Sequence, residues 1–85
     1  MKEEIKDNRH QRIGYVDKEL NGVITVYDKY NSRLGQIKPE GHKLVAYDKY
    51  AKRMAYWDET NDYSFDPYGK RIQKGNILVS LYFQA

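Results

Sequence analysis

The chain contains no cysteine and only two prolines among its 85 residues. Without cysteine it can form neither a disulfide bond nor a thiolate metal site, which is typical of proteins from a reducing compartment. No apolar run approaches the roughly 20 residues that a transmembrane helix requires. The opening residues, Met1 to Glu4, are not followed by the apolar stretch of a signal peptide. We therefore expect a cytoplasmic protein that does not contact a membrane.

Residues that carry catalysis are also scarce. His10 and His42 are the only histidines, and both fall in predicted turns. The sequence has no His-x-x-x-His pair, no glycine-rich phosphate loop and no Gly-x-Ser-x-Gly element. Asp58, Glu59 and Asp62 form an acidic cluster, which we interpret as a solvated turn rather than a carboxylate pair for acid–base chemistry. These patterns predict a protein that is not an enzyme and has no cofactor and no metal site.

The strongest feature that is present is an internal repeat. Each copy consists of Asp, four further residues, Arg and an aliphatic residue, and the copies begin at Asp7, Asp28, Asp48 and Asp66. In the last three copies an aromatic residue precedes the aspartate and a tyrosine follows it by two positions. Four of the chain's five arginines fall in this one register. The repeat indicates that one structural unit occurs four times.

The last copy shows what the repeat does. Asp66-Pro67-Tyr68-Gly69 favours a type I turn, because Asp suits its first position, Pro its second and Gly its fourth. Glycine at the fourth position permits positive φ and predicts a bulged β-hairpin. His10 and Asn31 hold that position in two other copies and tolerate positive φ, whereas Ala51 predicts strain or a different turn. We expect hairpin tips near residues 7–12, 28–33, 48–53 and 66–71.

The segments that flank these tips are rich in β-branched and aromatic residues, and no window shows a convincing helical period. We therefore predict a single all-β domain over residues 1–85, made of four antiparallel β-hairpins around a pseudo-four-fold axis. Gly75–Tyr82 matches Asn21–Tyr27 and is predicted to be a C-terminal strand that closes on the first unit. Gly14, Gly35 and Ala55 are small residues expected where the strands crowd together.

The pattern aromatic-Asp-x-x-Gly-x-Arg-aliphatic-Gly resembles that of the four-fold β-flower proteins, a family of small bacterial proteins. It is similar, more loosely, to the YD repeats of large Rhs-type shells. The β-flower resemblance covers residues 5–83 and implies four β-hairpins about a pseudo-four-fold axis. It implies no activity, so no functional residue is transferred from the family to this chain.

Candidate binding residues occupy the third position of the predicted turns: Tyr30, Tyr50 and Tyr68, with Arg9 in the first copy. A side chain there tends to point outward, so the rings could stack on bases or sugars beside the neighbouring lysines. Alternatively, they fold back over the adjacent hairpin and cover its core, which is the interpretation we favour. The remaining tyrosines fall in strands and are expected to pack.

The charged residues suggest no large single-sign surface, because 15 basic and 12 acidic residues leave a net charge of only +3. Each repeat aspartate is expected to accept backbone N–H bonds and to face its arginine across the hairpin. The function we favour is a non-catalytic binding or assembly module that associates with itself or with another protein. The alternative is a nucleic-acid or polysaccharide binder that uses the turn tyrosines and neighbouring lysines.

Overall fold

The structure is a computed structural model that describes residues 2–83. These residues form one antiparallel sheet of eight strands, in which sequence order and spatial order coincide. The elements are β1 (Lys2–Lys6), β2 (Arg12–Lys18), β3 (Ile24–Asp28), β4 (Arg33–Glu40), β5 (Lys43–Asp48), β6 (Arg53–Asp58), β7 (Tyr63–Phe65), β8 (Arg71–Lys74) and the helix α1 (Leu78–Leu81). The all-β class is confirmed. Even β1 is a strand, although its sequence, Lys-Glu-Glu-Ile-Lys, shows little of the residue pattern typical of strands.

The four repeat turns share one hydrogen-bond pattern. In the third, Asp48 Oδ1 accepts the backbone N–H groups of Tyr50 at 2.8 Å and Lys52 at 2.9 Å, while Ala51 N–H donates to Asp48 O at 3.0 Å. The turns that begin at the other three repeat aspartates repeat all three bonds. The fourth turn residue has positive φ in every copy: His10, Asn31, Ala51 and Gly69. The predicted turn is confirmed, and Ala51 adopts it with φ 64°.

Each of these turns is flanked by a shift in strand register, because the strand after the turn carries one extra residue relative to the strand before it. The shifts lie between Ile5 and Lys6, Val26 and Tyr27, Ala46 and Tyr47, and Ser64 and Phe65. They confirm the predicted bulges. As a result, the repeat arginines stand opposite residues of the preceding strand in the pairs Lys6–Arg12, Tyr27–Arg33, Tyr47–Arg53 and Phe65–Arg71.

The hydrophobic core lies on one face of the sheet, here called the core face. Its buried members come from alternate positions of the central strands and from α1: Val16, Val26, Ile37, Ala46, Ala55 and Leu78. Tyr82 and Phe83, which follow α1, pack against this cluster. Residues 78–83 therefore cover the core face, whereas no part of residues 2–83 covers the opposite face, here called the outer face, in this way.

The predicted closure by a C-terminal strand is wrong, because residues 78–81 form a helix and the sheet is open. The chain bends after β8, where Ser64 Oγ donates to Gly75 O at 2.7 Å and accepts Ile77 N–H at 3.2 Å. A helical turn brings Leu78 completely out of solvent on the core face, whereas a strand at the sheet edge would leave that face uncovered. A groove of about 570 Å³ lies between β1 and the C-terminal segment, where the sheet stays open. Its lining includes Ile5, Ile13 and Phe83.

The crowding expected at Gly14 and Gly35 is confirmed, and it comes both from the backbone of the neighbouring strand and from the rings of the C-terminal segment. A Cβ atom on Gly14 would lie 2.5 Å from the Phe83 ring and 2.3 Å from Tyr27 O. On Gly35 it would lie 2.7 Å from the Tyr82 ring and 2.0 Å from Tyr47 O. Both glycines are therefore required where the C-terminal rings meet the sheet.

We predict that Ala51→Gly stabilises the protein by about 1 kcal/mol, because an alanine in the left-handed region is strained and glycine is not. Chemical denaturation measures the change. Asn31→Gly is the matched control at the equivalent position and should give a smaller gain, because asparagine tolerates positive φ. A loss of stability in Ala51→Gly would contradict the turn geometry.

We predict that Tyr82→Phe destabilises the protein by about 1–2 kcal/mol, because the Tyr82 hydroxyl donates to Tyr47 O at 2.7 Å and lies 3.2 Å from Gln36 O. Burial raises the pKa of Tyr82, so the folded state favours the protonated phenol. The resulting stability is present below pH of about 10, the ordinary tyrosine pKa, and is lost as the pH rises above it. Denaturation curves at several pH values should show a weaker alkaline decline in the variant than in the wild type.

Candidate binding surfaces

The four repeat turns lie at the same end of the sheet, here called the turn end. Each joins an odd-numbered strand to the following even-numbered strand, and in an antiparallel meander all such connections share one end. Alternate strands are about 10 Å apart, so the turns follow one another at about that interval. The topology therefore brings Arg9, Tyr30, Tyr50 and Tyr68 to one end of the molecule in strand order.

The turn tyrosines point into solvent. Tyr30 is 77%, Tyr50 79% and Tyr68 93% exposed, and Arg9 is exposed as well. The favoured interpretation that these rings fold back over neighbouring hairpins is therefore wrong. The turns close through aspartate and backbone atoms alone, so the third-position side chain is not needed to hold them. Whether these four residues bind a ligand stays a prediction.

Two of the turn tyrosines carry a positive charge beside the ring. Lys29 Nζ lies 5.3 Å from the Tyr30 ring centroid, and Lys49 Nζ lies 5.3 Å from that of Tyr50. Exposed cation–π contacts of this kind contribute about 0.5–1 kcal/mol. Pro67 takes the lysine position in the last copy, so Tyr68 lacks such a neighbour.

The predicted ion pairs between each repeat aspartate and its arginine are wrong. Within residues 2–83 no such pair lies within ion-pair distance, because the aspartates hold backbone N–H groups instead. Arg12 Nη1 lies 3.6 Å from Glu4 Oε1, and Arg71 Cζ lies 4.8 Å from the Tyr63 ring centroid. The arginines thus belong to the outer face of the sheet rather than to the turns.

The outer face carries the tyrosines of the strands, which we expected from the sequence to pack. Strand alternation places Val16, Val26, Ala46 and Ala55 on the core face, so the neighbouring tyrosines point the other way. These are Tyr15, Tyr27, Tyr47 and Tyr56, joined on β7 by Tyr63 and Phe65. Tyr15 stands directly opposite Tyr27, and the rings of Tyr56 and Phe65 stack with centroids 5.0 Å apart. The alternation of small core residues with tyrosines was the sequence signal for this face.

Every tyrosine of the outer face has a cation over its ring. The pairs are Lys2–Tyr27, Arg12–Tyr15, Lys38–Tyr47, Lys43–Tyr56 and Arg71–Tyr63, with distances of 4.2–5.6 Å between cation and ring centroid. The rings themselves are half-buried. The outer face is therefore an aromatic layer partly covered by flexible basic side chains.

Charge is segregated onto this face. By strand alternation and register its basic residues are Lys2, Lys6, Arg12, Arg33, Lys38, Lys43, Arg53, Arg71 and Lys74, and its acidic residues are Glu4, Asp17, Glu40 and Asp58. These nine basic and four acidic residues give the outer face a charge of +5, against +3 for the whole chain. The rest of the chain therefore has a net charge of −2. This asymmetry is not visible in the sequence, where acidic and basic residues are interspersed.

A cleft of about 460 Å³ lies on the outer face near β5 and β6. Lys43, Arg53 and Tyr56 line it, together with Glu40, which accepts a hydrogen bond from the Tyr47 hydroxyl. That hydrogen bond raises the pKa of Tyr47, with a smaller contribution from burial, while Arg53 acts in the opposite direction. The cleft therefore combines the cations of Lys43 and Arg53 with the phenol ring of Tyr56.

Metal-ligating side chains do not cluster in the part of the chain that the structure describes. No group of three or more metal-ligating side chains occurs among residues 2–83. His10 lies at the turn end, whereas His42 lies in the β4–β5 connection at the opposite end. Among the same residues, no helix is both long and apolar enough to cross a bilayer.

Comparisons with protein-family models, curated proteins and solved structures return no match for this chain. The resemblance to the β-flower proteins accordingly stays a prediction.

We predict that Glu40→Gln lowers the pKa of Tyr47 toward the ordinary tyrosine value, because the hydrogen bond to the Glu40 carboxylate is the main cause of its rise. The Tyr47 ring signals, followed by NMR during a pH titration, give the change directly. The ring signals of Tyr15 in the same variant serve as an internal control and should match those of the wild type at every pH. An unchanged Tyr47 titration would contradict this hydrogen bond.

Proposed function

We propose that the chain is a non-catalytic binding module and that the turn end is its contact surface. The observation that carries the proposal is the exposure of Tyr30, Tyr50 and Tyr68 on turns whose closure does not require them. Tyrosine is enriched in protein interfaces because its ring supplies contact area and its hydroxyl supplies a hydrogen bond. Rings on rigid turns also lose little backbone entropy on binding.

The partner that we propose is a protein, in the simplest case a second copy of this chain. A symmetric pair of copies would bring two sets of turn tyrosines together without a further specialised surface. Arg9 extends the same row and would contact tyrosine faces of the partner through its guanidinium group.

The proposal includes the pseudo-four-fold arrangement that the β-flower resemblance implies. Its support is the hydrogen-bond pattern that all four turns share, since this pattern makes the hairpins equivalent units. In such an arrangement Arg9, Tyr30, Tyr50 and Tyr68 would occupy equivalent positions around one axis.

Binding of a nucleic acid or a polysaccharide at the turn end is a second candidate function. It is favoured by Lys29 and Lys49, which place positive charge beside two of the exposed rings. Replacing Tyr30, Tyr50 and Tyr68 by alanine should then abolish binding of such a polymer at low salt. Retained binding by this triple variant would contradict the second candidate.

For the protein partner, we predict concentration-dependent self-association that the same triple alanine variant abolishes. Sedimentation velocity from micromolar concentration up to about 1 mM covers the relevant range of affinities. The free energy of unfolding should change by less than about 0.5 kcal/mol per substitution, because the rings are exposed.

Leu20→Ala is the matched control, since Leu20 is also an exposed large side chain and lies at the opposite end of the sheet. It should leave association unchanged. A wild-type chain that stays monomeric throughout would contradict self-association. A large loss of stability in the triple variant would instead show that the rings serve the fold.

A further inference from the structure

We infer that the outer face of the sheet binds single-stranded nucleic acid, with its arginines at the phosphates and its tyrosine rings stacked on bases. This inference goes beyond the proposed function, because it uses a different surface from both candidates and a different class of partner from the first. It does not depend on whether the turn end binds a protein.

The first support is the sign and location of the charge. The outer face carries +5 although the whole chain carries only +3, so a polyanion is attracted to this side of the molecule more strongly than to the remainder, whose net charge is −2. The acidic side chains of the outer face already interact with other groups of the protein. Glu4 lies near Lys6 and Arg12, Glu40 accepts from Tyr47, and Asp58 accepts from the backbone of Thr60.

The second support is the alternation of cations and rings across the strands. The register puts Arg33 opposite Tyr27, Arg53 opposite Tyr47 and Arg71 opposite Phe65. A strand of nucleic acid lying across the sheet would therefore meet a guanidinium group and an aromatic ring in turn. Phosphate contact and base stacking are the two interactions by which proteins hold single strands without reading their sequence.

The third support is the shape of the surface. The rings lie in a sheet surface and cannot enter the groove of a duplex, whose base faces are hidden in the stack. Unpaired bases expose their faces and can replace the cations that now lie over the rings, which frees those cations for phosphates. The cleft beside Arg53 and Tyr56, about 460 Å³, is of a size that holds one small ligand group such as a base.

The binding test uses the intact chain and a fluorescein-labelled oligothymidylate of about 20 nucleotides, longer than the roughly 4–16 nucleotides that one OB-fold domain covers. We expect anisotropy to rise at about 50 mM salt and affinity to fall as salt is added. A duplex of the same length should bind at least about tenfold more weakly, and polyphosphate should compete poorly. Absence of binding at low salt would overturn the inference. So would an affinity for the duplex or for polyphosphate equal to that for the oligothymidylate.

The location test compares two charge-neutralising variants. Arg53→Gln on the outer face should weaken binding about fivefold to tenfold at about 50 mM salt. It should also make the plot of log affinity against log salt concentration less steep, by the slope that about one phosphate contact contributes. Lys18→Gln removes the same charge away from this face and should change affinity less than about twofold. Both side chains are exposed, so both variants should fold, and thermal denaturation confirms it.

Two further variants separate this inference from the turn-end proposals. Tyr56→Leu keeps an apolar side chain but removes the ring, and we expect about tenfold weaker binding. The triple alanine variant of Tyr30, Tyr50 and Tyr68 should bind the oligonucleotide as the wild type does. Binding that is lost in the triple variant and retained in Arg53→Gln would overturn the inference and place the nucleic acid at the turn end.

Discussion

The carboxylate of the repeat aspartate accepts two backbone N–H groups in each of the four turns, and the rest of the structure depends on this contact. It closes a β-turn whose fourth residue has positive φ, and the bulge beside the turn sets the register of the hairpin. A slip of one residue would exchange the two faces of every strand. Repeating one turn four times therefore sorts the side chains of the whole sheet consistently.

The two faces that result have opposite character. The core face is apolar and is covered by the residues of α1 and the two rings that follow it, for which Gly14 and Gly35 leave space. The outer face carries the tyrosines, the repeat arginines and the excess positive charge. Because the C-terminal segment packs on one side only, the aromatic layer on the other side stays accessible, and the exposed turn tyrosines occupy a third region at the end of the sheet.

The sequence predicted the features that depend on local backbone chemistry. The turns, the positive φ of His10 and Asn31, the bulges and the all-β class follow from residue types at fixed spacing. The course of the C-terminal segment could not be predicted in this way. The segment Leu78–Leu81 is mainly apolar and suits either an edge strand or a helical turn. Only the need to cover the core face decides between the two. The exposed turn rings were also misjudged, since exposure depends on how far a neighbouring hairpin reaches. The outer face required the strand register, which converts dispersed charges into one surface.

NMR contacts of the C-terminal rings test the central claim, that one repeated turn sorts the sheet into a covered face and a free face. We predict nuclear Overhauser contacts from the Tyr82 ring to the Gly35 α-protons and from the Phe83 ring to those of Gly14, with both signals shifted upfield by the rings. The rings should show no contact with the side chain of Tyr56. Cross-strand contacts between residues 78–82 and β1, or ring contacts with the outer-face tyrosines, would contradict the account.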